Sequence, residues 1–307
     1  MFVTVAICTR NRASSLARTL ASIEAARHPA CDWEILITDN GSTDGTQQVI
    51  ADFANRLPIR MQVETKAGVA NARNAAVAAA TSEYIVWTDD DVLVEPDWLT
   101  AYVDSFAAYP SADLFGGRIR PVLEEPVTQW FSQVSPRLEE LLAERELGQE
   151  PMWITNVAQV PYGANCAVRK SVQSKFLFDT ARGPGAPYFG EETTSFKAIL
   201  AANHQARWVP ASSVRHMISS KRQTLEYVRW WYEGLGRTLV WEGAEGLPGP
   251  RILGVPRWLW RSAITKELRF RFAHLTGAPD VWARRLVDVS LDWGKLQYCR
   301  SGSSGGR

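Results

Sequence analysis

The stretch "EYIVWTDDDVLVEPDWL", residues 83–99, runs an apolar segment directly into three consecutive carboxylates, Asp89, Asp90 and Asp91. The apolar segment is typical of a buried strand, and Pro96 is typical of the first turn of a helix. The same succession of a short strand and a segment with helical spacing occurs four times in the first 110 residues. This regular alternation predicts an α/β fold of the Rossmann-like type, a mostly parallel central sheet flanked by helices.

Polar residues follow each of the four predicted strands. In sheets of this kind, ligands bind in the crevice beyond the carboxyl ends of the strands. The segments that reach this edge are 9–11, 39–41, 64–68 and 89–91. The sequence therefore predicts one polar rim that carries the ligand site.

The acidic trio, Asp89, Asp90 and Asp91, has two interpretations. It is either a solvated turn that caps the next helix or a cation site. Three carboxylates packed on a rim without a cation would have raised pKa values and would cost stability. Carboxylate oxygens suit Mg²⁺ or Mn²⁺, whose coordination is commonly completed by phosphate oxygens of a substrate. The position at a strand end favours the cation site.

The charge and the apolar runs limit the class of protein. With 34 Lys and Arg against 33 Asp and Glu, the net charge is +1 and gives no indication of nucleic-acid binding. No apolar run is long enough to span a bilayer, the opening "MFVTVAIC" is typical of a strand, and the four cysteines form no CxxC pair. We therefore expect a cytoplasmic protein.

The C-terminal region has a different charge balance. Residues 251–307 carry eleven Lys and Arg against four Asp and Glu, a local charge of +7 that leaves about −6 on the first 250 residues. Within it, "RWLWRSAITKELRFRFAHL" mixes basic with large apolar residues. Two alternatives stay open for this segment: peripheral contact with the inner face of a membrane, or packing as a helical subdomain or homodimer contact.

Six motifs, in this order, resemble those of the family 2 glycosyltransferases, inverting enzymes of the GT-A fold. The motifs are "VAICTRNRASSLARTLASI", "EILITDNGSTDGT", "KAGVANARNAA", "WTDDDVLVEPDWL", "YGANCAVRKSV" and "GEETTSFKAILAAN". The resemblance covers residues 2 to 245. It implies a GT-A fold with a C-terminal helical extension. The expected parts are a nucleotide-sugar-binding half at 1–118, an acceptor-binding and catalytic half at 119–222, a helical Trp- and Arg-rich region at 223–300 and a disordered tail at 301–307.

The resemblance also implies how a nucleoside-diphosphate sugar, with UDP the favoured nucleotide, would be held. The segment from Thr9 to Arg12 matches residues that hold the nucleotide, and Asp39 matches the position that contacts the base. The full set of expected donor-side residues is Thr9, Arg10, Asn11, Arg12, Asp39, Gly68, Arg73, Asn74, Asp89, Asp90 and Arg222.

A divalent metal, Mn²⁺ or Mg²⁺, is implied by the same resemblance. Asp89 and Asp91 match the ends of the Asp-X-Asp motif, and Asp91 is the expected direct ligand. His216 matches a histidine that reaches the metal or the diphosphate in many relatives, although a lone histidine is also common as a structural residue. In such a site the cation stabilises the charge that develops on the leaving diphosphate.

The "GEE" at residues 190–192 resembles the family's Gly-Glu-Asp motif, in which the second acid is the catalytic base. That residue is Glu192 here, one methylene longer than the usual Asp, and Glu191 is the alternative. A base at this position would take a proton from the acceptor hydroxyl. The competing interpretation is that both glutamates only complement the helix dipole.

The expected activity is transfer of a hexose, with inversion, to a glycan, lipid-linked or small-molecule acceptor, as in polysaccharide biosynthesis. Trp153, Trp230 and Trp231 are candidates for an acceptor platform or for core packing. A noncatalytic nucleotide-sugar-binding protein of the same fold is the alternative, because donor binding does not need Glu192. A Rossmann dehydrogenase is excluded, since "CTRNRASS" after the first strand contains no glycine.

Overall fold

The computed structural model describes residues 1–243 and 247–301, which divide into two compact units. The first unit comprises Met1–Val122, Ala143–Ala186 and Gly190–Met217; the second comprises Leu123–Leu142, Pro187–Phe189 and the described residues from 218 onwards. The chain passes between the two units several times. The expected domain boundaries stay a prediction. Of the expected tail, residues 301–307, all but Ser301 lie outside the described residues.

The first nine elements are β1 (Phe2–Thr9), α1 (Ala13–Ala25), β2 (Asp32–Asp39), α2 (Thr46–Phe53), β3 (Ile59–Val63), α3 (Val69–Ala79), β4 (Tyr84–Thr88), β5 (Val92–Val94) and α4 (Trp98–Ala108). Eight of them follow the predicted alternation, and the short strand β5 after β4 is an addition to it. Successive residues of β1 and β2 are buried in two different cores, Val5 and Ile35 on one face and Ala6 and Leu36 on the other. Because both faces are covered, the central residues of these strands are consecutive apolar residues instead of alternating with polar ones.

The remaining elements are less regular. They are β6 (Ala112–Leu123), α5 (Gln129–Val134), α6 (Glu139–Leu142), β7 (Trp153–Ile154), β8 (Asn165–Arg169), α7 (Lys170–Gln173), α8 (Glu191–Ala201), β9 (Gln205–Ile218), α9 (Leu225–Trp241), β10 (Arg251–Ile252), β11 (Val255–Pro256), α10 (Arg257–Thr276) and α11 (Pro279–Ser301). Single-turn 3-10 helices lie at Ser135–Arg137, Val157–Gln159 and Ser220–Gln223.

A nine-stranded sheet positions the site. Its order is β3-β2-β1-β4-β8-β6-β9-β5, with β7 also paired to β9. The pairs among β1 to β4 are parallel, whereas β8 pairs antiparallel with both β4 and β6, and β9 pairs antiparallel with both β5 and β7. The α/β class is confirmed, and parallel pairing is found in the half of the sheet built by the alternating segment.

Two sequence interpretations are corrected. Residues 135–147 read as one exposed amphipathic helix, but the chain forms a 3-10 turn and the four-residue helix α6 there. Leu138, Leu141 and Leu142 are buried, and α6 ends at Leu142, before Ala143, which has a positive φ of 53°. The segment 206–216 read as one or two short strands, but it lies within the single 14-residue strand β9.

A buried asparagine joins four elements of the first unit. Asn165, fully buried in β8, accepts hydrogen bonds from the Trp98 indole at 2.8 Å and the Tyr102 hydroxyl at 2.9 Å. Its amide donates to the carbonyls of Arg118 at 2.9 Å and Ser212 at 3.0 Å. All of its hydrogen-bonding groups are therefore used, as a polar group in a core requires.

Helices α9 and α11 of the second unit approach each other closely at two glycines. A Cβ on Gly294 would lie 2.0 Å from the carbonyl oxygen of Glu233, and a Cβ on Gly236 would lie 2.3 Å from that of Leu291. Glycine inside a helix costs about 1 kcal/mol of stability relative to alanine. The close approach of the two helices explains why glycine nevertheless occupies both positions.

None of the helices in residues 1–243 and 247–301 combines the length and the hydropathy needed to cross a membrane.

We expect Gly294→Ala to destabilise the protein although alanine has the higher helix propensity, because the added methyl group overlaps backbone atoms of α9. The predicted loss in the free energy of unfolding is about 1–3 kcal/mol by urea denaturation. The control Arg284→Ala, on the exposed side of α11, should stay within about 0.5 kcal/mol. A Gly294→Ala variant as stable as the parent would contradict the close packing.

Candidate active site

The ends of β1 and β2 lie side by side, since Thr9 pairs with Asp39 in the parallel register. Asp39 is fully buried, and its two oxygens accept hydrogen bonds from the Ser42 amide at 2.9 Å and from Nε2 of Gln47 at 2.7 Å. The carboxylate therefore closes the turn after β2 as well as lying on the rim. These two bonds give Asp39 a structural role beside the base contact that the resemblance implies.

Asparagine side chains fix the loops on either side of this strand end. Asn11, with a positive φ of 53°, accepts from the Thr43 amide at 2.7 Å. Asn40 accepts from the amide of Gly68 at 2.9 Å, and Gly68 has a φ of +118°, which favours glycine. Arg10, beside Asn11, is exposed. Asn11 and Gly68 thus have structural partners on the rim where the sequence placed them.

Arg12 and Thr9 bind part of the acidic trio. Thr9 Oγ1 donates to Asp90 at 2.7 Å, and Nη1 of Arg12 donates to Asp91 at 3.2 Å. Asp90 is 7% exposed, and burial raises its pKa to about 7, against the opposing effect of Arg12. Two of the residues expected to hold the nucleotide therefore also hold the acids in place.

Arg73 is the cation at the centre of the other acidic group. Its guanidinium lies 3.0 Å from Glu191, 3.4 Å from Glu192 and 3.2 Å from Asp89. Burial alone would lower the pKa of Arg73, but the three carboxylates outweigh it and raise that pKa. The side chain is 7% exposed. One buried cation thus connects α3, the end of β4 and the start of α8.

Glu191 and Glu192 differ in exposure. The Glu191 side chain is 5% exposed and that of Glu192 is 21% exposed. Burial, reinforced by the neighbouring Glu192 carboxylate, raises the pKa of Glu191 to about 8 although Arg73 opposes the rise. Glu191 is therefore an internal partner of Arg73, while Glu192 is the carboxylate that a second molecule can reach.

Two glycines make room for this cluster. A Cβ on Gly163 would lie 2.7 Å from Nη2 of Arg73, and a Cβ on Gly183, which has a φ of +91°, would lie 2.6 Å from Oε2 of Glu191. Sequence reasoning assigned neither residue to the site. The available signal was the glycines of "PYGAN" and "ARGPG", which mark turns as readily as close contacts.

Asp91 and His216 meet because β5 and β9 are antiparallel partners. Val92 pairs with His216, which brings Nε2 of His216 to 3.5 Å from Oδ1 of Asp91. Both side chains are at most 7% exposed. No group of three or more His, Cys, Asp or Glu side chains that could hold a metal ion occurs within the described part of the chain.

Of the other predicted residues, Asn74 lies in the first unit and Arg222 in the second. Both ends of the Asn74 amide bond the backbone of Phe178, at 2.8 and 2.9 Å, so this side chain fastens α3 to the segment before α8. Arg222 lies in the second unit, in the turn Ser220–Gln223. Trp153 contacts Tyr109 and Arg207 in the first unit, and Trp230 and Trp231 contact Phe189 in the second.

Comparison with known sequences gives a match over more than half of the chain. The family model described as glycosyl transferase family 2 matches residues 4–176. Validoxylamine A glucosyltransferase of Streptomyces hygroscopicus subsp. jinggangensis is 32% identical over 107 residues, 34% of this chain and 25% of that protein. The chain thus spans about a quarter of the length of this relative.

Two solved structures share the fold. Mannosyltransferase PcManGT from Pyrobaculum calidifontis, in complex with GDP-Man and Mn²⁺, gives a TM-score of 0.62 at 18% identity and covers 96% of this chain and 86% of that chain. S. aureus TarS 1-349 in complex with UDP-GlcNAc gives a TM-score of 0.57 at 14% identity and covers 98% and 92%. At these identities the likeness shows the fold alone, and the predicted GT-A fold is confirmed.

Arg73→Met should lower the free energy of unfolding by about 3–5 kcal/mol, because it leaves the buried Glu191 carboxylate without its cation. Urea denaturation at about pH 9, above the Glu191 pKa of about 8, measures the loss, and adding Glu191→Gln should restore part of it. Arg60→Met is the matched control, since the Arg60 side chain is 43% exposed and its bond to Glu34 should contribute about 1 kcal/mol or less. Equal losses for Arg73→Met and Arg60→Met would contradict the central role of Arg73.

The raised pKa of Glu191 makes stability depend on pH. Between its ordinary value of 4.5 and about 8, the folded protein holds a proton that the unfolded chain releases. The stabilisation is complete below pH 4.5 and is lost as pH rises to about 8, with a slope of up to about 1.4 kcal/mol per pH unit for one proton. Glu191→Gln cannot release this proton, so urea denaturation between pH 5 and 8 should give a shallower slope. Identical slopes in parent and variant would be the opposing result.

Proposed function

Since the chain belongs to glycosyl transferase family 2, we propose that it transfers a sugar, with inversion, from a nucleoside-diphosphate donor to an acceptor hydroxyl with the help of a divalent metal ion. The observation that carries this proposal is the cation Arg73, which lies 3.2 Å from Asp89 and 3.4 Å from Glu192. Asp89, on the donor side, and Glu192, an accessible acid at the start of α8, thus contact the same guanidinium group.

Glu192 is the catalytic base in this proposal. A base must be reachable by the acceptor, and at 21% exposure Glu192 is more accessible than Glu191 at 5%. Glu192 takes the proton of the acceptor hydroxyl while the acceptor oxygen forms a bond to the anomeric carbon. The bond from that carbon to the diphosphate oxygen breaks on the opposite face, and its electron pair leaves with the nucleoside diphosphate. Glu191 acts indirectly, by holding Arg73.

The residues around Asp91 fit a divalent ion. Oδ1 of Asp91 and Nε2 of His216 are 3.5 Å apart, and a carboxylate with an imidazole suits Mn²⁺ in particular. Because the described residues contain no group of three such side chains, diphosphate oxygens would complete the coordination. When bound, the ion would neutralise charge on the departing diphosphate. Arg12 holds the second oxygen of Asp91 at 3.2 Å and so orients this carboxylate.

The nucleotide side of the proposal rests on the β1 and β2 ends. Asp39 would receive the base imide at Oδ2 in place of the Gln47 amide, which now lies there at 2.7 Å. UDP is the favoured nucleotide, since a uracil imide offers the single donor that this exchange needs, and dTDP, whose thymine has the same imide, and GDP stay open. The solved structures with UDP-GlcNAc and with GDP-Man support a nucleotide-sugar donor for this fold. A glycan, a lipid-linked sugar or a small molecule would be the acceptor.

Glu192→Gln should reduce sugar transfer by at least about a hundredfold while leaving the dissociation constant for UDP within a factor of about three, since the amide cannot accept the proton. Sugar transfer is measured as the release of UDP from UDP-sugars, and UDP binding is measured by calorimetry. Glu83→Gln, exposed at the opposite end of β4, is the control. Undiminished transfer by Glu192→Gln would show that Glu192 is not the catalytic base. An inactive parent that still binds UDP would favour a noncatalytic binding protein.

Asp91→Asn should abolish the effect of Mn²⁺ on UDP binding. The parent is expected to bind UDP at least tenfold more tightly with Mn²⁺ than with chelator, whereas the variant should show no such gain because an amide is a weaker metal ligand than a carboxylate. Asp104→Asn, on the exposed side of α4, serves as the control. An unchanged Mn²⁺ effect in Asp91→Asn would place the ion elsewhere.

A further inference from the structure

Helix α10 of the second unit has two apolar faces, and only one of them is covered. Leu259, Ala263, Phe270 and Ala273 are buried. On another face, four large apolar side chains are exposed: Ile264 at 50%, Leu268 at 64%, Phe272 at 67% and Leu275 at 83%. Their spacing of four, four and three residues aligns them in one stripe along the helix. A stripe of this length differs from the scattered apolar residues of an ordinary surface.

The charge beside this stripe is positive. Arg257, Arg261, Arg269 and Arg271 are exposed on the same helix. The one acid of α10, Glu267, is 13% exposed and bonds Arg229 at 3.0 Å and Arg271 at 2.8 Å. The outer surface of the helix therefore presents cations next to apolar groups.

The hairpin before α10 presents a further exposed apolar residue. Leu253 is 79% exposed at the tip between β10 and β11, with a positive φ of 51°, and Gly254 follows with a φ of 77°. Such two-residue turns favour Asn or Gly, so folding does not explain the leucine. The Trp260 indole donates to the Ile252 carbonyl at 3.1 Å and fastens the hairpin to the helix.

We propose that the stripe on α10 and the tip at Leu253 form a surface that binds an anionic lipid bilayer. Apolar side chains flanked by arginines are the combination that inserts into the headgroup region of such a membrane. A second copy of the chain fits less well, because a symmetric pairing of this surface would bring arginines against arginines. The proposal is independent of the proposed chemistry, since it uses neither the acids nor Arg73.

The test is co-sedimentation of the full chain with vesicles of phosphatidylcholine containing 30% phosphatidylglycerol, compared with pure phosphatidylcholine. The parent is expected to bind the anionic vesicles at least tenfold more tightly. Leu268→Ser with Phe272→Ser should weaken this binding at least tenfold, because both residues are exposed and their loss leaves the core intact. Leu177→Ser with Met61→Ser, at exposed positions of the first unit, should bind as the parent does.

Leu253→Asn separates membrane binding from folding. Asparagine tolerates a positive φ, so the melting temperature should be unchanged or higher while vesicle binding falls severalfold. Binding that is absent in the parent, or equal in parent and Leu268→Ser with Phe272→Ser, would overturn the proposal. So would a parent dimer in sedimentation velocity that Phe272→Ser dissociates, because self-association would then account for the surface.

Discussion

One buried guanidinium holds together the acids on which the site depends. Arg73 draws the carboxylates of Asp89, Glu191 and Glu192 to within 3.4 Å of itself, although these residues come from segments about a hundred positions apart in the sequence. Without a cation, so many acids at one place would repel each other and resist burial. The glycines at 163 and 183 have no side chains because the cation and its partner occupy that space.

A division of roles among the acids follows from these contacts. Arg73 and Glu191 form the buried support, and Glu192 is the accessible neighbour. Arg12 and Thr9 hold Asp90 and one oxygen of Asp91, while the other oxygen of Asp91 faces His216. In the proposed reaction the support stays fixed while proton transfer and diphosphate departure occur at its two sides. Positioned charges of this kind contribute to catalysis because they need not reorganise when the reaction proceeds.

Much of the fold could be predicted because the first four strands and helices have local signals: β-branched runs, helical spacing and polar strand ends. The acidic trio was singled out by its place at a strand end, and the two glutamates by the resemblance of "GEE" to a family motif. The pairing of Arg73 with Glu191 was not predicted, because a sequence does not show that these two residues meet. For the same reason, the bond from the Asn74 amide to the Phe178 backbone was not predicted. Strand β6 and the turns after it were missed, since their burial depends on partners distant in sequence.

The most direct test of this account is the anomalous diffraction signal of manganese in a crystal grown with Mn²⁺ and UDP. The account predicts one strong peak in contact with Asp91 and His216, with Asp89 still bonded to Arg73 and Glu192 away from the ion. A peak coordinated by Asp89 and Glu192, with Arg73 displaced, would contradict it, because the acids would then be metal ligands instead of partners of the buried cation.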